Sequence, residues 1–152
     1  MGFVITCKPF GELTPTELYA IVRLRVEVFV VEQNCVFQDL DDKDKYCFHL
    51  MFHEGGELAA YARLVPRDVS YEGMLSIGRV VTSPRFRGTG VGKLLMERAV
   101  AEVQACFGAG VIRIGAQLYA KAFYERIGFL QSGDVYDEDG IEHILMDKPV
   151  GD

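Results

Sequence analysis

A glycine-rich segment near the middle of the chain has the composition of an anion-binding turn. Residues 87–93 are Arg-Gly-Thr-Gly-Val-Gly-Lys, and they stand between an apolar strand pattern and a helical pattern. Glycine lets the backbone approach a phosphate closely, and the first N–H groups of a helix have no partner within the helix. The helix dipole is also positive at that end. This segment therefore predicts a phosphate-binding loop at a helix N-terminus.

Two common phosphate-binding motifs do not fit this segment. A Walker A loop needs four residues between its two glycines, but only three separate Gly88 from Gly92, and Lys93 is followed by Leu94. A Rossmann turn of the form Gly-x-Gly-x-x-Gly would need glycine at position 93, and it would follow the first strand of the chain. What remains is the pattern Arg-x-x-Gly-x-Gly, which begins at Arg87.

The elements that must position this loop follow from hydrophobic periodicity and from turn residues. Thr14, Pro15 and Glu17 form a capping box that begins the first helix. Gly55-Gly56 and Asp139-Gly140 predict two hairpin turns. The predicted strands are 3–8, 46–53, 57–65, 74–82, 111–116, 129–136 and 141–147, and the later helices are 90–106 and 120–127.

This order, β-α-β-β-β-α-β-α-β-β, predicts one α/β domain that spans residues 1–152. A strand, the glycine turn, a helix and the next strand form a right-handed parallel unit in the middle of the sheet. The hairpins on either side of that unit are antiparallel, so we expect a mixed sheet.

The glycine loop and its surroundings resemble the GCN5-related N-acetyltransferase (GNAT) family, which binds the pyrophosphate of acetyl-coenzyme A on such a loop. Residues 77–84, Ile-Gly-Arg-Val-Val-Thr-Ser-Pro, are similar to the family's fourth strand and its exit. Residues 120–129 end in Tyr-Glu-Arg-Ile-Gly-Phe, which is similar to a second family signature, Tyr-x-x-x-Gly-Phe. Segments 28–33, 115–117 and 136–140 resemble the small ElaA-type branch.

The resemblance implies a mixed, mostly antiparallel sheet of six to seven strands, with a central parallel β-α-β unit and flanking helices. It implies that the fourth and fifth strands splay apart and that the pantetheine arm of acetyl-CoA, the cosubstrate, lies between them, with no metal. Gln117 stands where the family more often has asparagine. The expected cofactor-binding residues are Val80, Val81, Thr82, Arg85, Arg87, Gly88, Thr89, Gly90, Val91, Gly92, Lys93, Gln117 and Tyr124.

Direct transfer of an acetyl group from a thioester to an amine needs a neutral amine, donors for the oxyanion and a proton for the departing thiolate. By resemblance, Tyr124 supplies that proton as a catalytic acid. Many family members carry a carboxylate on the fourth strand, but this strand offers Ser76 and Arg79 instead. The candidate bases are therefore Glu32 and Asp39, and deprotonation through a chain of water molecules is an alternative.

Glu32 also has a structural interpretation. Arginines on strands require partners, so Glu27 or Glu32 could form salt bridges with Arg63 or Arg79. That interpretation competes with a catalytic role for Glu32.

Four cysteines are present without a Cys-x-x-Cys pair, which argues against a zinc ribbon or a redox motif and favours a reducing, cytoplasmic setting. Cys47 or Cys106 could act as an acyl-carrying nucleophile, but neither has a basic neighbour at catalytic spacing, so buried thiols are the preferred interpretation. His49 and His53 are four positions apart on a predicted strand, which is too far for one metal ion.

The net charge of −6 argues against a general nucleic-acid binder. Its distribution is uneven, because residues 79–98 carry a local charge of +4, whereas residues 32–44 carry −4 and residues 134–142 carry −5. The basic segment contains the loop expected to hold a polyanionic cofactor. If the acidic segments flank the acceptor, they favour a cationic amine.

The sequence therefore predicts an acetyl-CoA-dependent N-acetyltransferase for a small-molecule or peptidyl amine, with no nucleic-acid or membrane partner. One alternative is a non-catalytic acyl-CoA-binding module with a regulatory role, which the missing strand carboxylate and Gln117 favour. Another is acyl-homoserine-lactone-type chemistry, whose enzymes share the fold. The C-terminal hairpin could also pair two copies of the chain in a homodimer.

Overall fold

A seven-stranded sheet forms the centre of the molecule in the computed structural model, which describes residues 2–151. The strands lie in the order β1-β2-β3-β4-β5-β7-β6, and β4–β5 is the parallel pair among antiparallel neighbours. The predicted mixed, mostly antiparallel α/β sheet is confirmed. The strands are β1 Val4–Pro9, β2 Phe48–Glu54, β3 Glu57–Val65, β4 Leu75–Thr82, β5 Gly110–Gln117, β6 Leu130–Glu138 and β7 Ile141–Val150.

The α-helices are α1 Pro15–Arg25, α2 Val91–Phe107 and α3 Lys121–Ile127. The predicted capping box begins α1: the Glu17 N–H donates to Thr14 Oγ1 at 3.0 Å, and the Thr14 N–H donates to Glu17 Oε1 at 2.9 Å. α1 continues into a π-helical segment, Val26–Glu32. No helix within residues 2–151 is both long and apolar enough to cross a bilayer.

Apolar side chains cover both faces of the sheet. On one face, α2 buries Leu95, Met96, Ala99 and Val103 in the larger core. On the other face, a smaller core joins α1 and the π-helical segment to the sheet through Ile21, Leu24, Val28, Met51, Tyr61 and Val81. The smaller core fixes the π-helical segment beside the strands that line the site described below.

The loop between the π-helical segment and β2 is tied to the sheet by buried ion pairs. Arg25, whose surface is 1% exposed, donates to Asp39 Oδ2 and to Asp44 Oδ1, each at 2.8 Å. Buried arginines need such partners, because an unpaired buried charge is costly. This arginine–aspartate network consists of Arg25, Arg63, Arg79, Asp39, Asp41 and Asp44.

The expectation that Glu27 or Glu32 would pair with Arg63 or Arg79 is wrong. Both strand arginines use aspartates of the folded-back loop instead. Glu27 instead pairs with Arg23, four positions earlier on the helix, with Oε1 3.4 Å from Nη1. The network also neutralises most of the acidic segment 32–44, which therefore presents less negative charge than its composition indicates.

Several predicted boundaries shift by one residue, and the larger changes are at the start of β2 and in the C-terminal hairpin. β2 begins at Phe48 rather than at residue 46, because Asp44–Tyr46 form a 3₁₀ turn that presents Asp44 to the arginines. The C-terminal hairpin is longer than predicted, because its turn is confined to two residues and because β7 pairs with β5 as far as Val150. Asp139 and Gly140 have positive φ angles of 52° and 84°, the conformation that such a tight hairpin turn requires.

Candidate functional site

β4 and β5 separate over most of their length. Among residues 2–151, they pair at Leu75 with Ile112 and at Ser76 with Arg113. β4 then continues to Thr82 and β5 to Gln117 without further pairing between them. The splay that the family resemblance implied is therefore present, and it leaves a gap in the sheet.

A β-bulge in β4 lies beside this gap. The register of β3 and β4 shifts between Tyr61, which faces Val81, and Arg63, which faces Gly78. Arg79 has a positive φ of 50° within the shifted stretch. A bulge takes backbone groups out of the regular ladder, so the backbone of this stretch is released from the β3–β4 pairing where it borders the gap.

The gap opens into a cavity of about 210 Å³. Its walls come from β4, β5, the π-helical segment with the loop after it, the start of α3 and the β6–β7 hairpin. Four of the predicted cofactor-binding residues line it, namely Val80, Val81, Gln117 and Tyr124. Further polar lining residues are Gln33, Arg79, Tyr119, Glu138, Asp139 and His143.

Tyr124 lines the cavity from α3 and packs edge-on against two phenylalanines. Its ring centroid lies 5.1 Å from that of Phe123 and 6.1 Å from that of Phe129. Burial raises the pKa of Tyr124 to about 12, because the phenolate is poorly solvated there. A phenol is protonated at neutral pH even without this shift, so Tyr124 has a proton to donate.

Gln117 is the last residue of β5, and its Nε2 donates to Gln33 Oε1 at 3.4 Å across the cavity. Two positions earlier, Gly115 allows two phenols to approach the strand. A Cβ at that position would lie 2.6 Å from the Tyr136 hydroxyl and 3.2 Å from the Tyr71 hydroxyl. A larger residue at position 115 would displace these two rings.

The glycine loop is exposed and leads directly into α2. Gly88 and Gly90 have positive φ angles of 77° and 85°, and no atom lies within 4 Å of a Cβ built on either residue. α2 begins at Val91 with Gly90 as its N-cap, so no side chain caps its first N–H groups. Open backbone at the positive end of a helix fits a pyrophosphate group.

The start of α2 lies close to the cavity walls. A Cβ on Gly92 would lie 3.7 Å from Thr82 Oγ1 and 3.9 Å from the Phe123 ring. Thr82 ends β4, and Phe123 precedes Tyr124 on α3. The loop, the gap and the cavity therefore adjoin one another.

Comparison with known proteins agrees with this geometry. Residues 17–150 match the sequence model of a family described as "Acetyltransferase (GNAT) domain". The chain belongs to this family. It is 40% identical over 142 residues to Protein ElaA of Escherichia coli (strain K12), and the aligned region covers 92% of each chain. The crystal structure of Escherichia coli ElaA matches with a TM-score of 0.90 and 36% identity, over 97% of this chain and 99% of that one.

Two further solved structures place this GNAT chain among known folds. An acyl-CoA N-acyltransferase from Pseudomonas aeruginosa matches with a TM-score of 0.91 and 43% identity, over 97% of this chain and 99% of that one. A CoA-dependent acyl-homoserine lactone synthase, BjaI, matches with a TM-score of 0.80 but 15% identity, over 99% of this chain and 84% of that one. The second likeness concerns the fold alone.

The basic side chains near the GNAT glycine loop differ in their partners. Arg87 forms a bidentate pair with Glu32, with Nη1–Oε2 at 2.8 Å and Nη2–Oε1 at 2.5 Å. Arg85 pairs with Glu57, with Nη1 3.1 Å from Oε2. Lys93 is exposed on the first turn of α2. The Arg87 hydrogen bonds lower the pKa of Glu32. Glu32 is outside the set of cavity-lining residues, and its role as a base stays a prediction.

The other sequence candidates lie outside the lining of the cavity. Asp39 is 3% exposed and is held by the arginine–aspartate network. Cys47 donates from its thiol to the Lys43 carbonyl at 3.2 Å, and burial raises its pKa to about 11. Burial also raises the pKa of Cys106. These surroundings support the interpretation of both cysteines as structural thiols.

Possible metal-ligand side chains elsewhere in the described residues include His49 and one cluster of three residues. His49 uses both ring nitrogens in hydrogen bonds, at 2.7 Å and 2.9 Å. Cys7, Glu102 and Cys106 bring their ligand atoms within 4.8 Å of one another. Burial raises the pKa of the Cys7 thiol to about 12, which disfavours the thiolate that a metal would require.

Sequence reasoning does not single out His143, and it includes Glu138 only as one acid of segment 134–142, although both line the cavity. The sequence does contain the information that pairs His143 with Tyr136. Counting outward from the two-residue turn at Asp139-Gly140 places these two residues opposite each other. The pairing of Gln117 with His143 depends on β7 lying between β5 and β6. That strand order is a long-range property which local patterns do not contain.

Proposed function

We propose that this GNAT protein is an acetyl-CoA-dependent N-acetyltransferase that transfers the acetyl group to a primary amine by direct attack on the thioester. The observation that carries the proposal is that the exposed glycine loop, the gap between β4 and β5 and the phenol of Tyr124 adjoin one another. A site for a long thioester cosubstrate needs these three features in contact. The protein would act in the cytoplasm, where its free thiols stay reduced.

The residues present fit coenzyme A. Backbone N–H groups of 88–92 would hold the pyrophosphate at the start of α2, where Gly88 and Gly90 leave open space. Arg85, Arg87 and Lys93 would add positive charge near the phosphates. The pantetheine arm would run in the gap against the backbone of residues 80–82. Acetyl-CoA itself supplies an activated acyl group.

The protein's own groups then assist the transfer. Backbone N–H groups at the β4 bulge would donate to the oxygen that becomes negatively charged. Tyr124 would give its proton to the departing thiolate, because the phenol is protonated at neutral pH. Gln117 would orient the cosubstrate or an ordered water through its amide.

The acceptor would arrive as a cation. Glu138 and Asp139 of the β6–β7 turn line the cavity and are exposed, so they add negative charge at its edge. Opposite charge attracts an alkylammonium and repels an anionic acceptor. Because most of the 32–44 segment is neutralised by arginines, this preference depends on the hairpin.

Release of free CoA from acetyl-CoA tests the proposal. The panel contains butylamine, spermidine and a lysine-containing peptide as amines, and acetate as an anionic control. We expect amine-dependent CoA release, together with an acetylated amine of the correct mass. Stabilisation of the protein by CoA without turnover on any amine would instead favour a non-catalytic acyl-CoA-binding module.

A further inference from the structure

One wall of the cavity carries an imidazole to which the proposed reaction assigns no role, and it lies beside the Glu138 carboxylate. His143, on β7, is 6% exposed and lines the cavity, as does Glu138 at the end of β6. His143 pairs across the sheet with Gln117, a predicted cofactor-binding residue. The imidazole is therefore on the strand next to the one that borders the gap.

The hydrogen bond of His143 defines which ring nitrogen is free. Nδ1 lies 2.8 Å from the Ile141 carbonyl oxygen. A carbonyl accepts hydrogen bonds and cannot donate them, so the proton of the neutral ring is on Nδ1. Nε2 then carries a lone pair, as a base requires.

Glu138 faces that lone pair. Its Oε2 lies 3.5 Å from His143 Nε2. In the neutral ring both atoms are hydrogen-bond acceptors, so neither satisfies the other. A donor with several protons and a positive charge would satisfy both, and an alkylammonium group is such a donor.

The surroundings favour this use of the pair. The Tyr136 ring lies against the imidazole with centroids 5.8 Å apart, which restricts its rotation. The Cys35 thiol donates to the Asp139 carbonyl at 3.4 Å and holds the turn against the loop after the π-helical segment. The pair therefore lies on a supported hairpin and faces the same cavity as Tyr124.

We propose that His143 is the base that deprotonates the acceptor amine and that Glu138 binds the acceptor's ammonium group, so that the acceptor is an alkyl primary amine that arrives protonated. This inference rests on the proposed N-acetyltransferase function. His143 Nε2 takes one proton from the ammonium, and the freed amine nitrogen attacks the thioester carbonyl carbon. The C–N bond forms and the C–S bond breaks. The thiolate takes the Tyr124 proton, and the amide nitrogen's second proton restores the phenol, so one proton leaves through His143.

A pair of nucleophiles separates this role from a structural one. Butylamine is an ammonium ion near neutral pH and must lose a proton before it attacks, whereas hydroxylamine is already neutral. His143→Asn keeps an N–H donor near the position of Nδ1 and removes Nε2. We expect this variant to lose about 100-fold in kcat/KM for butylamine, in the range of general base catalysis, and to stay within about threefold of wild type for hydroxylamine.

The carboxylate is tested with the same probes. Glu138→Gln keeps the side-chain size and removes the charge, so we expect KM for butylamine to rise about tenfold while KM for hydroxylamine changes little. Glu142→Gln is the matched control, because Glu142 is an exposed acid of the same hairpin that does not line the cavity. CoA-dependent stabilisation should be the same in all of these variants, which checks that each one folds.

Each remaining outcome has a defined meaning. Equal losses for butylamine and hydroxylamine in the His143 variant would overturn the base assignment and leave the proposed function standing. Acetylation of hydroxylamine but not of butylamine by the wild type would also overturn the base assignment. No transfer by the wild type to either probe, to spermidine or to the lysine-containing peptide would overturn the proposed function itself.

Discussion

Arg87 and Glu32 form a bidentate ion pair that joins the glycine loop to the end of the π-helical segment, with N–O distances of 2.8 Å and 2.5 Å. The pair connects the expected phosphate site to the last residue of this segment, which is followed by Gln33 in the cavity lining. A carboxylate used in this way anchors a loop. A cosubstrate phosphate would compete with it for the same guanidinium.

Glu32→Gln distinguishes anchoring from base catalysis. We expect kcat to stay within about threefold of wild type, whereas loss of a general base typically costs about 100-fold or more. The affinity for CoA should rise instead, because Arg87 is released from Glu32 and becomes available to a phosphate. Steady-state kinetics with varied acetyl-CoA measures both effects. A loss of kcat near 100-fold with unchanged KM would establish Glu32, one of the two candidates from the sequence, as the base.

Tyr124→Phe should lower kcat by about 100-fold and change the affinity for CoA little, because the variant removes the proton given to the departing thiolate and keeps the ring that lines the cavity. Its stability cost should be small, since the ring contacts with Phe123 and Phe129 remain. Single-turnover CoA release measures the first effect, and thermal unfolding measures the second. Tyr19→Phe is the control, because Tyr19 is an exposed tyrosine on α1. An unchanged rate in the Tyr124 variant would exclude the phenol as the acid.

Gly90→Glu should abolish CoA binding. The substitution places a carboxylate beside the expected pyrophosphate and forces a non-glycine residue to a φ of 85°. Gly56→Glu is a matched control, because Gly56 has a φ of 80° and equally open surroundings in the hairpin between β2 and β3. Thermal shift with CoA compares the two. Binding retained in the Gly90 variant would contradict the placement of the phosphates.

Local patterns predict a large part of this fold, because their physical causes are local. The capping box at Thr14 and Glu17 is a contact between neighbours three residues apart, and it is present as expected. The two-residue turn at Asp139-Gly140 follows from the positive φ angles that these residue types accept. The glycine loop likewise begins α2 for a local reason, because Gly90 accepts the positive φ of the N-cap position.

Contacts between residues distant in sequence cannot be predicted from local patterns. A buried arginine on a strand requires an acidic partner, but the sequence does not say which one. Arg79 pairs with Asp39 and Asp41, some 40 and 38 positions away, because the loop folds back across the sheet. His143 enters the cavity through the insertion of β7 between β5 and β6. The family resemblance indicated the site, while the candidate base in it became visible through strand order.

The arginine–aspartate network predicts an acid-dependent loss of stability. Asp41 accepts hydrogen bonds from Arg63 Nη1 and Nη2 at 2.8 Å and 2.9 Å. Burial opposes ionisation of Asp41, but Arg63 outweighs that effect and holds its pKa well below the ordinary value. We expect Asp41→Asn to lower the free energy of unfolding by about 2 kcal/mol at neutral pH, which is less than for a fully buried pair, because Asp41 is 22% exposed and Arg63 keeps Asp44 as a partner.

The pH dependence of that difference gives the decisive measurement. A carboxylate whose pKa is lower in the folded state stabilises fully above its unfolded pKa of about 3.9, and the stabilisation is lost as pH falls further toward the folded pKa. Denaturant unfolding at a series of pH values should therefore show a constant gap between wild type and Asp41→Asn down to about pH 5, and a shrinking gap below about pH 4. Burial lowers the pKa of His49, so both proteins lose stability below about pH 6.5, and this loss cancels in the difference. Asp42→Asn, at the exposed neighbouring position, should show no such gap. A gap for Asp41→Asn that is independent of pH would mean that the carboxylate charge does not stabilise the fold.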